Sequence, residues 1–324
     1  MSSFKRATKA SVPATGVKPW VNTGLGIVST GNKQLDDLIG GGVALGTLTL
    51  IESDGFSNYG ETLLLYNLVE SVSHKHPVFV VTEDEIEGDR LMMSLPYNQT
   101  VGSSGNNEEV IPVVAMNNPE NKLTIAWQYA KYIKTPELCP INRLQHHTTT
   151  SSDNTTIPTV ESQFISILDA IKKFIIQYQR SEKSISRIVL SGFDQILASI
   201  ANNSKQTKIS ARLTAKFILN LKQIIQLYRG NIILTYNSNA ITIETAILLR
   251  QVSDTLLSIE SFAGRNHSVP YEFKDFHGFL VIHKIQQYGS LAAFRPPGTR
   301  FGLKRDRRKL HIEPLHLPPE ESRA

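Results

Sequence analysis

Apolar residues occur along the chain in two patterns, short continuous runs and longer stretches with helical spacing. Residues 47–51 (TLTLI) and 77–82 (PVFVVT) are short, apolar and β-branched, which is typical of buried parallel strands. In residues 161–180 and 209–229, apolar positions instead recur every three or four residues. Further strands are predicted at 187–192, 231–236, 254–261 and 278–285, and further helices at 60–72 and 242–252. This alternation predicts an α/β fold with a mostly parallel sheet flanked by helices.

The alternation extends over most of the chain, so we expect a single domain spanning residues 21–320, followed by a short tail at 321–324. Residues 1–20 lack apolar periodicity and contain two prolines, which predicts a flexible basic arm. Residues 98–109 and 146–158 are polar and of low complexity, and the alternation resumes after each. We interpret both as exposed insertions within the domain.

The composition favours a soluble protein in a reducing compartment. Hydrophobic residues make up 40% and charged residues 19% of the 324 positions, and no apolar run is long enough to span a membrane. The first residues lack the apolar core of a secretory signal, and the single cysteine, Cys139, excludes an intramolecular disulfide. We therefore expect a protein of the cytoplasm and nucleus without membrane partners, and we find no set of residues spaced to bind a metal.

The segment after the first buried strand resembles a phosphate-binding loop in which the lysine is missing. Such a loop has the form G-x-x-x-x-G-K-[ST] between a strand and a helix. Here Gly55, Gly60 and Thr62 fit, but Glu61 occupies the lysine position. Two unit charges about 4 Å apart interact by roughly 4 kcal/mol at an effective dielectric constant of 20. Exchanging a positive for a negative charge therefore disfavours tight binding of a triphosphate.

The second half of a nucleotide-hydrolysing site is also altered. A metal-holding aspartate normally ends a strand parallel to the first. Here RIVLSGFD places Ser191 at that point, and Asp194 follows three residues later. Serine brings no charge to a metal, and Asp194 is better explained as a helix N-terminal residue, where the helix dipole favours negative charge. The sequence thus predicts no independent ATPase activity and no catalytic residue.

Basic residues are concentrated in two segments. Residues 1–20 carry +4 and residues 295–309 carry +6, so the rest of the chain carries −5 of the total of +5. We call residues 295–309 the basic hairpin and interpret it as a candidate RNA contact, with Phe301 stacking on an unpaired base. A charged hairpin that packs on the acidic body or on a neighbouring subunit is the alternative. The candidate residues are Arg300, Phe301, Lys304, Arg305, Arg307, Arg308 and Lys309.

Residues 29–53 resemble the entry segment of RecA-type ATPases. Ser29 or Thr30 is expected to cap a helix there, and Gly40–Gly42 end it before the strand. Within that superfamily the chain is most similar to the PAXNEB family of fourth Elongator subunits. The similarity lies in ESDGFSNYGETLLLYNL, LTIAWQYAKY around Trp127, GFLVIHKI and RRKLHIEPLHLPPE, from about Thr23 to Glu320.

This resemblance implies a RecA-like fold with degenerate nucleotide motifs. It implies a hetero-hexameric ring with the fifth and sixth Elongator subunits, two copies of each, which binds tRNA. The catalytic Elongator core would then modify the wobble uridine at position 34. The resemblance implies no cofactor in this subunit, only weak ATP binding at ring interfaces, and hydrolysis that is weak and dependent on the assembled ring. An active RecA-like ATPase, such as a recombinase paralogue, is the alternative, and it would need a lysine from elsewhere in the chain.

Overall fold

The computed structural model describes most of the chain, and the statements below concern these residues. The described residues are 14–19, 26–94, 144–148, 158–178, 185–263, 269, 271–287, 294–306 and 309–315. The expected insertion at 98–109, the segment around Trp127, the tail at 321–324 and the positions Arg307 and Arg308 lie outside them.

A nine-stranded sheet forms the centre of the molecule. Its strands, in chain order, are β4 (Leu48–Ser53), β5 (Val78–Thr82), β6 (Leu144–Thr148), β7 (Arg187–Leu190), β8 (Asn231–Asn237), β9 (Thr255–Ser261), β10 (Gly278–Lys284), β11 (Arg300–Arg305) and β12 (Leu310–Pro314). Their spatial order is β12-β11-β10-β9-β4-β8-β7-β5-β6. The six strands from β9 to β6 are parallel, and β10, β11 and β12 extend the sheet in antiparallel fashion.

Helices cover both faces of this sheet. They are α1 (Lys33–Leu38), α2 (Tyr59–Ser73), α3 (Glu85–Met93), α4 (Val160–Tyr178), α5 (Phe193–Asn203), α6 (Ala211–Tyr228) and α7 (Ile243–Val252). Three further short strands precede β4 in the chain and form a separate antiparallel sheet. They are β1 (Val17–Pro19), β2 (Gly26–Val28) and β3 (Val43–Ala44). The mostly parallel α/β architecture expected from the sequence is confirmed.

The core consists of two apolar layers, because successive side chains of a strand point to opposite faces of the sheet. Ile51 and Val80 belong to the layer that packs against α1 and α2, whereas Leu50 and Val81 belong to the layer under α4, α5, α6 and α7. Both layers are apolar, so the central strands β4, β5 and β7 are buried along nearly their whole length. This explains why they are continuous apolar runs in the sequence.

Two local expectations are corrected. The helix α1 is capped by Asn32, whose side chain accepts a hydrogen bond from the Leu35 N–H. Ser29 and Thr30 instead hydrogen-bond the buried carboxylate of Asp36. Residues 146–148, expected in an insertion, belong to β6, because the edge of β5 supplies backbone partners to a polar segment as well as to an apolar one.

The end of the expected flexible arm is also ordered, because Val17–Pro19 pair with Gly26–Val28. The carbonyl of Thr15 accepts a hydrogen bond from Nε2 of His76 at 2.7 Å, and Nδ1 of His76 accepts one from the buried Arg187 at 3.3 Å. Burial, together with the charge of Arg187, lowers the pKa of His76 to about 4. A neutral histidine therefore joins the N-terminal segment to the core.

Candidate functional site

The candidate site lies at the carboxyl end of β4, in the middle of the sheet. β4 pairs in parallel with β8 on one side and β9 on the other, so the residues that follow these three strands meet at one edge. Ligands of open α/β sheets bind at this carboxyl edge. We call residues 54–62, which lead from β4 into α2, the phosphate-loop segment.

Hydrogen bonds to both neighbouring strands hold this segment in place. One carboxylate oxygen of Asp54 accepts from the N–H of Phe56 at 3.0 Å, and the other accepts from the N–H of Ser261, at the end of β9, at 2.5 Å. The Asp54 carbonyl accepts from the side-chain amide of Asn239 beyond β8. Gly55 has a φ of +78°, and a Cβ there would lie 2.4 Å from the Asn237 amide nitrogen. A glycine is therefore required where the chain passes over β8.

The remaining motif residues are used for packing. A Cβ on Gly60 would lie 2.3 Å from the Ser53 hydroxyl, so Gly60 allows α2 to start close to the end of β4. Thr62 is buried, and its hydroxyl donates to the carbonyl of Asn58 at 2.8 Å, one turn back. The hydroxyl that would hold a metal in an intact phosphate loop is thus hydrogen-bonded within the helix.

Glu61 turns towards α3 and forms an ion pair there. Its carboxylate lies 2.9 Å from a guanidinium nitrogen of Arg90, and Arg90 also binds Glu87 through two hydrogen bonds of 2.6 and 2.8 Å. The hydrogen bonds to Glu87, and then those to Glu61, raise the pKa of Arg90 above its usual value. Two carboxylates surround one guanidinium, so the group keeps a net negative charge at the position where a phosphate loop needs a cation.

Asp194 and an acidic neighbour lie near the end of β7. Ser191 follows the strand, and Asp194 lies in the first turn of α5, where its carboxylate accepts from the N–H of Asn237 at 2.9 Å. Glu83, directly after β5, was not recognised in the sequence. Burial raises the pKa of Glu83, and the charges of Asp84 and Asp194 raise it further. The run TEDE after a buried strand was the signal that could have indicated this acidic edge.

A second glutamate lies beneath the phosphate-loop segment. Glu52, the penultimate residue of β4, is buried and receives two hydrogen bonds from Arg250 of α7, at 2.6 and 2.9 Å. The hydroxyl of Tyr236, its neighbour on β8, also donates to Glu52. Burial and the glutamate charge raise the pKa of Tyr236. This network joins β4, β8 and α7 directly under the loop.

The basic hairpin divides into core and surface residues. Phe301 is only 1% exposed and packs in the core, so the stacking role expected for it is wrong: it occupies an inward position of β11. Arg300 pairs with Glu260 at 2.8 Å, and its guanidinium lies 4.9 Å from the centre of the Phe279 ring. The side chains of Lys304, Arg305 and Lys309 are exposed. The surface half of the hairpin is therefore available for contact with an anion.

Within the described residues, no group of three histidine, cysteine, aspartate or glutamate side chains is placed to hold a metal ion. In the same part of the chain, no helix combines the length and the apolar character needed to cross a bilayer.

Comparisons with known proteins agree over nearly the whole chain. A family profile described as "PAXNEB protein" matches residues 10–324. Elongator complex protein 4 of Xenopus laevis is 27% identical over 360 residues, covering 99% of this chain and 87% of that protein. The Mus musculus protein of the same name is 27% identical over 366 residues, covering 99% and 86%. The Dictyostelium discoideum protein is 27% identical over 350 residues, covering 92% and 76%.

A solved structure supports the fold. A KaiC-like protein from the hyperthermophilic archaeon Pyrococcus horikoshii OT3 superimposes with a TM-score of 0.52 at 14% identity. The match covers 90% of this chain and 100% of the archaeal one. At this level of identity the likeness concerns the fold, which is of the RecA-like type.

Proposed function

Because this chain belongs to the PAXNEB family, we propose that it is a non-catalytic, RecA-like subunit of the Elongator complex. Its role in that complex is to build a hetero-hexameric ring with the fifth and sixth subunits, two copies of each. The ring binds tRNA and presents it to the catalytic Elongator core for modification of the wobble uridine. The names of the relatives support membership of the complex.

The observation that carries the non-catalytic assignment is the ion pair between Glu61 and Arg90. It places a carboxylate at the position of the phosphate-binding lysine, and Arg90 is engaged by two acidic side chains. The uncharged Ser191 removes the second charge that a hydrolytic site needs, because metal binding to a triphosphate relies on an acidic residue there. An active recombinase-type ATPase is disfavoured for the same reason. Binding of ATP is weak and is confined to ring interfaces.

The catalytic part of this proposal is tested by measuring ATP turnover. We expect the isolated chain to release phosphate at the background rate, with no change in the Thr62→Ala variant. Turnover well above background that Thr62→Ala abolishes would refute the non-catalytic assignment. Because Thr62 is buried, the thermal stability of the variant must be measured alongside as a control.

The assembly part is tested separately by native mass spectrometry. RecA-like domains form rings through heterologous contacts, in which one face of a subunit meets a different face of the next. We expect a defined hexamer only when the chain is co-expressed with both proposed partner subunits. A stable monomer that binds neither partner would contradict the ring and leave the ATPase result untouched.

The tRNA contact is assigned to the surface half of the basic hairpin. A triple variant with Lys304, Arg308 and Lys309 changed to alanine should weaken tRNA binding. It should also flatten the dependence of log affinity on log salt by about two units, because fewer counterions are released. An unchanged slope combined with a disrupted hexamer would assign the hairpin to subunit contact instead. The change of all three cations in one segment makes circular dichroism a necessary folding control.

A further inference from the structure

The helices α4, α6 and α7 form a layer whose outer surface carries most of the exposed aliphatic side chains. Within the described residues nine large hydrophobic side chains are exposed, and six of them belong to these three helices. Single exposed apolar residues are ordinary on a protein surface, whereas their concentration on one face marks contact with another molecule. The six residues are Ile165 and Ile176 on α4, Leu219 and Leu227 on α6, and Ile243 and Ile247 on α7.

The three helices run side by side in the same direction. Each of them leads into one strand of the parallel part of the sheet, α4 into β7, α6 into β8 and α7 into β9. Their N-terminal ends therefore all lie towards the carboxyl edge of the sheet. Helices packed in such a layer are about 8–10 Å apart.

A ring contact sets the relative height of α4 and α6. The rings of Phe164 on α4 and Phe217 on α6 stack with their centres 4.6 Å apart. Ile165 follows Phe164 by one residue, and Leu219 follows Phe217 by two. Because a helix rises about 1.5 Å per residue, Ile165 and Leu219 differ in height by about 1.5 Å. The two exposed side chains are therefore neighbours across the layer.

A hydrogen bond sets the relative height of α6 and α7 in the same way. Nζ of Lys222 on α6 donates to the carbonyl of Val252, the last residue of α7, at 3.0 Å. Leu219 precedes Lys222 by three residues, and Ile247 precedes Val252 by five. The heights of Leu219 and Ile247 therefore differ by about 3 Å. Ile165, Leu219 and Ile247 thus form a row across the layer, with Leu219 in the middle.

A two-fold axis through Leu219 would superimpose this row on itself. A contact with such an axis uses the same patch on both molecules, so that residue i meets residue j and residue j meets residue i. Leu219 then meets its own copy. Ile165 of one copy meets Ile247 of the other, because α4 and α7 lie on opposite sides of α6.

The exposed charges of the layer are complementary under the same axis. The axis reverses the direction of the layer, so the start of α4 meets the end of α7 on the other copy. Glu161, in the first turn of α4, then faces the exposed Arg250. Residues 169–173, with one aspartate and two lysines, carry +1 and face Glu244 in the first turn of α7. On α6 the cations Arg212 and Lys216 face uncharged glutamines, so the axis does not bring them together.

The contacts that these charges make within the chain are weak. Glu161 lies 3.9 Å from Lys216, and both side chains are more than half exposed. Lys172 lies 3.8 Å from Asp169, again with both side chains at least half exposed. Ion pairs of this kind contribute between about 0 and 1 kcal/mol. The charges can therefore take partners on a second molecule at little cost to the fold.

We propose that the outer surface of α4, α6 and α7 binds a second copy of this chain, in a two-fold dimer with Leu219 at its centre. Aliphatic side chains form the middle of the contact and opposite charges surround them, which is the usual composition of a protein interface. The dimer does not rest on the proposed ring. Ring contacts join two different faces, whereas this contact joins one face to itself.

The first test is sedimentation velocity of the purified chain between about 1 and 100 μM, where weak protein contacts associate. We expect an equilibrium between monomer and dimer. Leu219→Asp places two carboxylates at the axis and should raise the dissociation constant at least about tenfold. Ile86→Asp is the matched control, because Ile86 is 79% exposed but lies on α3, outside the layer. Both variants should keep the melting temperature of the wild type, since both side chains are exposed.

Disulfide cross-linking locates the axis. In a chain whose single cysteine is replaced, Cys139→Ser, the variant Leu219→Cys should link to its own copy. A disulfide requires β-carbons about 3.5–4.5 Å apart. Ile165→Cys should not link to itself, because its two copies are about 16–20 Å apart, two helix spacings. A mixture of Ile165→Cys and Ile247→Cys should link, because the axis brings these two positions together.

A charge exchange tests the complementarity. Glu244→Lys should raise the dissociation constant of the dimer by about twofold to fivefold, as expected for an exposed pair. Adding Lys172→Glu to that variant restores opposite charges across the axis, so the constant should return towards that of the wild type. Lys172→Glu alone should weaken the dimer by a similar factor.

Two results would overturn the proposal. One is a chain that stays monomeric over the whole concentration range, which would assign the helix layer to contact with a different protein. The other is a dimer that Leu219→Asp leaves intact and that does not link Ile165→Cys to Ile247→Cys, which would place the contact on another face. Neither result bears on the ring, which is tested with the partner subunits present.

Discussion

Two glutamate–arginine pairs stand near the two ends of the phosphate-loop segment, and their carboxylates differ in burial. Glu52, before the loop, has a side chain only 4% exposed and receives two hydrogen bonds from Arg250 and one from Tyr236. Glu61, near the other end of the segment, has a side chain that is 26% exposed. The two arginines are similarly exposed, Arg250 to 47% and Arg90 to 53%. The same two residue types thus form a pair with a buried carboxylate below the loop and a pair with a partly exposed carboxylate beside it.

The comparison separates structural from functional importance. A buried charge is costly to leave without its partner, so the pair of Glu52 and Arg250 matters to the fold. A solvated pair contributes between about 0 and 1 kcal/mol, so Glu61 matters little to the fold. Nevertheless Glu61 decides the charge that an incoming phosphate meets. We therefore expect replacement of Glu61 to affect ligand binding more than the stability of the fold.

The largest expected effect is on stability, in the variant Arg250→Ala. It leaves the buried Glu52 carboxylate with Tyr236 as its remaining partner, and we expect a loss of about 2 kcal/mol in the free energy of unfolding. Urea unfolding followed by circular dichroism measures this loss. Arg250→Lys keeps the charge but loses the paired hydrogen bonds. We expect this variant to lose less than half as much stability as Arg250→Ala. Equal stability of Arg250→Ala and the wild type would show that the two pairs do not differ.

A smaller effect is expected on nucleotide affinity in Glu61→Lys. The change replaces a negative with a positive charge beside the loop, and Arg90 keeps Glu87 as its partner. We expect ATP to bind about tenfold more tightly, a change of about 1.4 kcal/mol, without any gain in turnover, because Ser191 still supplies no charge. Equilibrium binding and phosphate release are measured on the same preparation. Glu61→Gln only neutralises the charge, so its affinity for ATP should lie between those of the wild type and Glu61→Lys.

The smallest effect is expected in Arg90→Ala. The variant removes two solvated ion pairs at once, and we expect a loss of less than about 1 kcal/mol in the free energy of unfolding. The loss should shrink further in 1 M salt, where exposed charges are screened within about 3 Å. The free energy of unfolding of Arg250→Ala is measured in the same salt series, and we expect its loss to depend less on salt. A loss as large as that of Arg250→Ala would show that the pair of Glu61 and Arg90 also supports the fold.

Much of the fold could be predicted from the sequence, because buried parallel strands leave an unambiguous apolar signal. Strands β4, β5, β7, β8, β9 and β10 all coincide with predicted runs. Strand β6 was missed because LQHHT is polar, and its pairing depends on the edge of β5, which sequence periodicity does not report. Helix α3 was missed as well, and with it the partner of Glu61, because GDRLMM shows too little apolar periodicity.

The candidate site was predictable in its motif residues but not in their contacts. Spacing alone located Gly55, Gly60, Glu61 and Thr62 between a strand and a helix. It could not show that Arg90 engages Glu61, that Thr62 bonds Asn58, or that Phe301 faces inward, because each depends on a packing partner or on the phase of a strand.

The position of β4 between β8 and β9 has a consequence for synthesis of the protein. Glu52 and its hydrogen-bond partner Tyr236 are 184 residues apart. At a translation rate of roughly 5–20 residues per second, the partner strand emerges about 10–40 s after β4. During that interval the apolar run at the centre of the sheet has neither of its neighbouring strands. We therefore expect the nascent chain to depend on chaperones that cover exposed apolar strands, and to aggregate when translation pauses between β4 and β8.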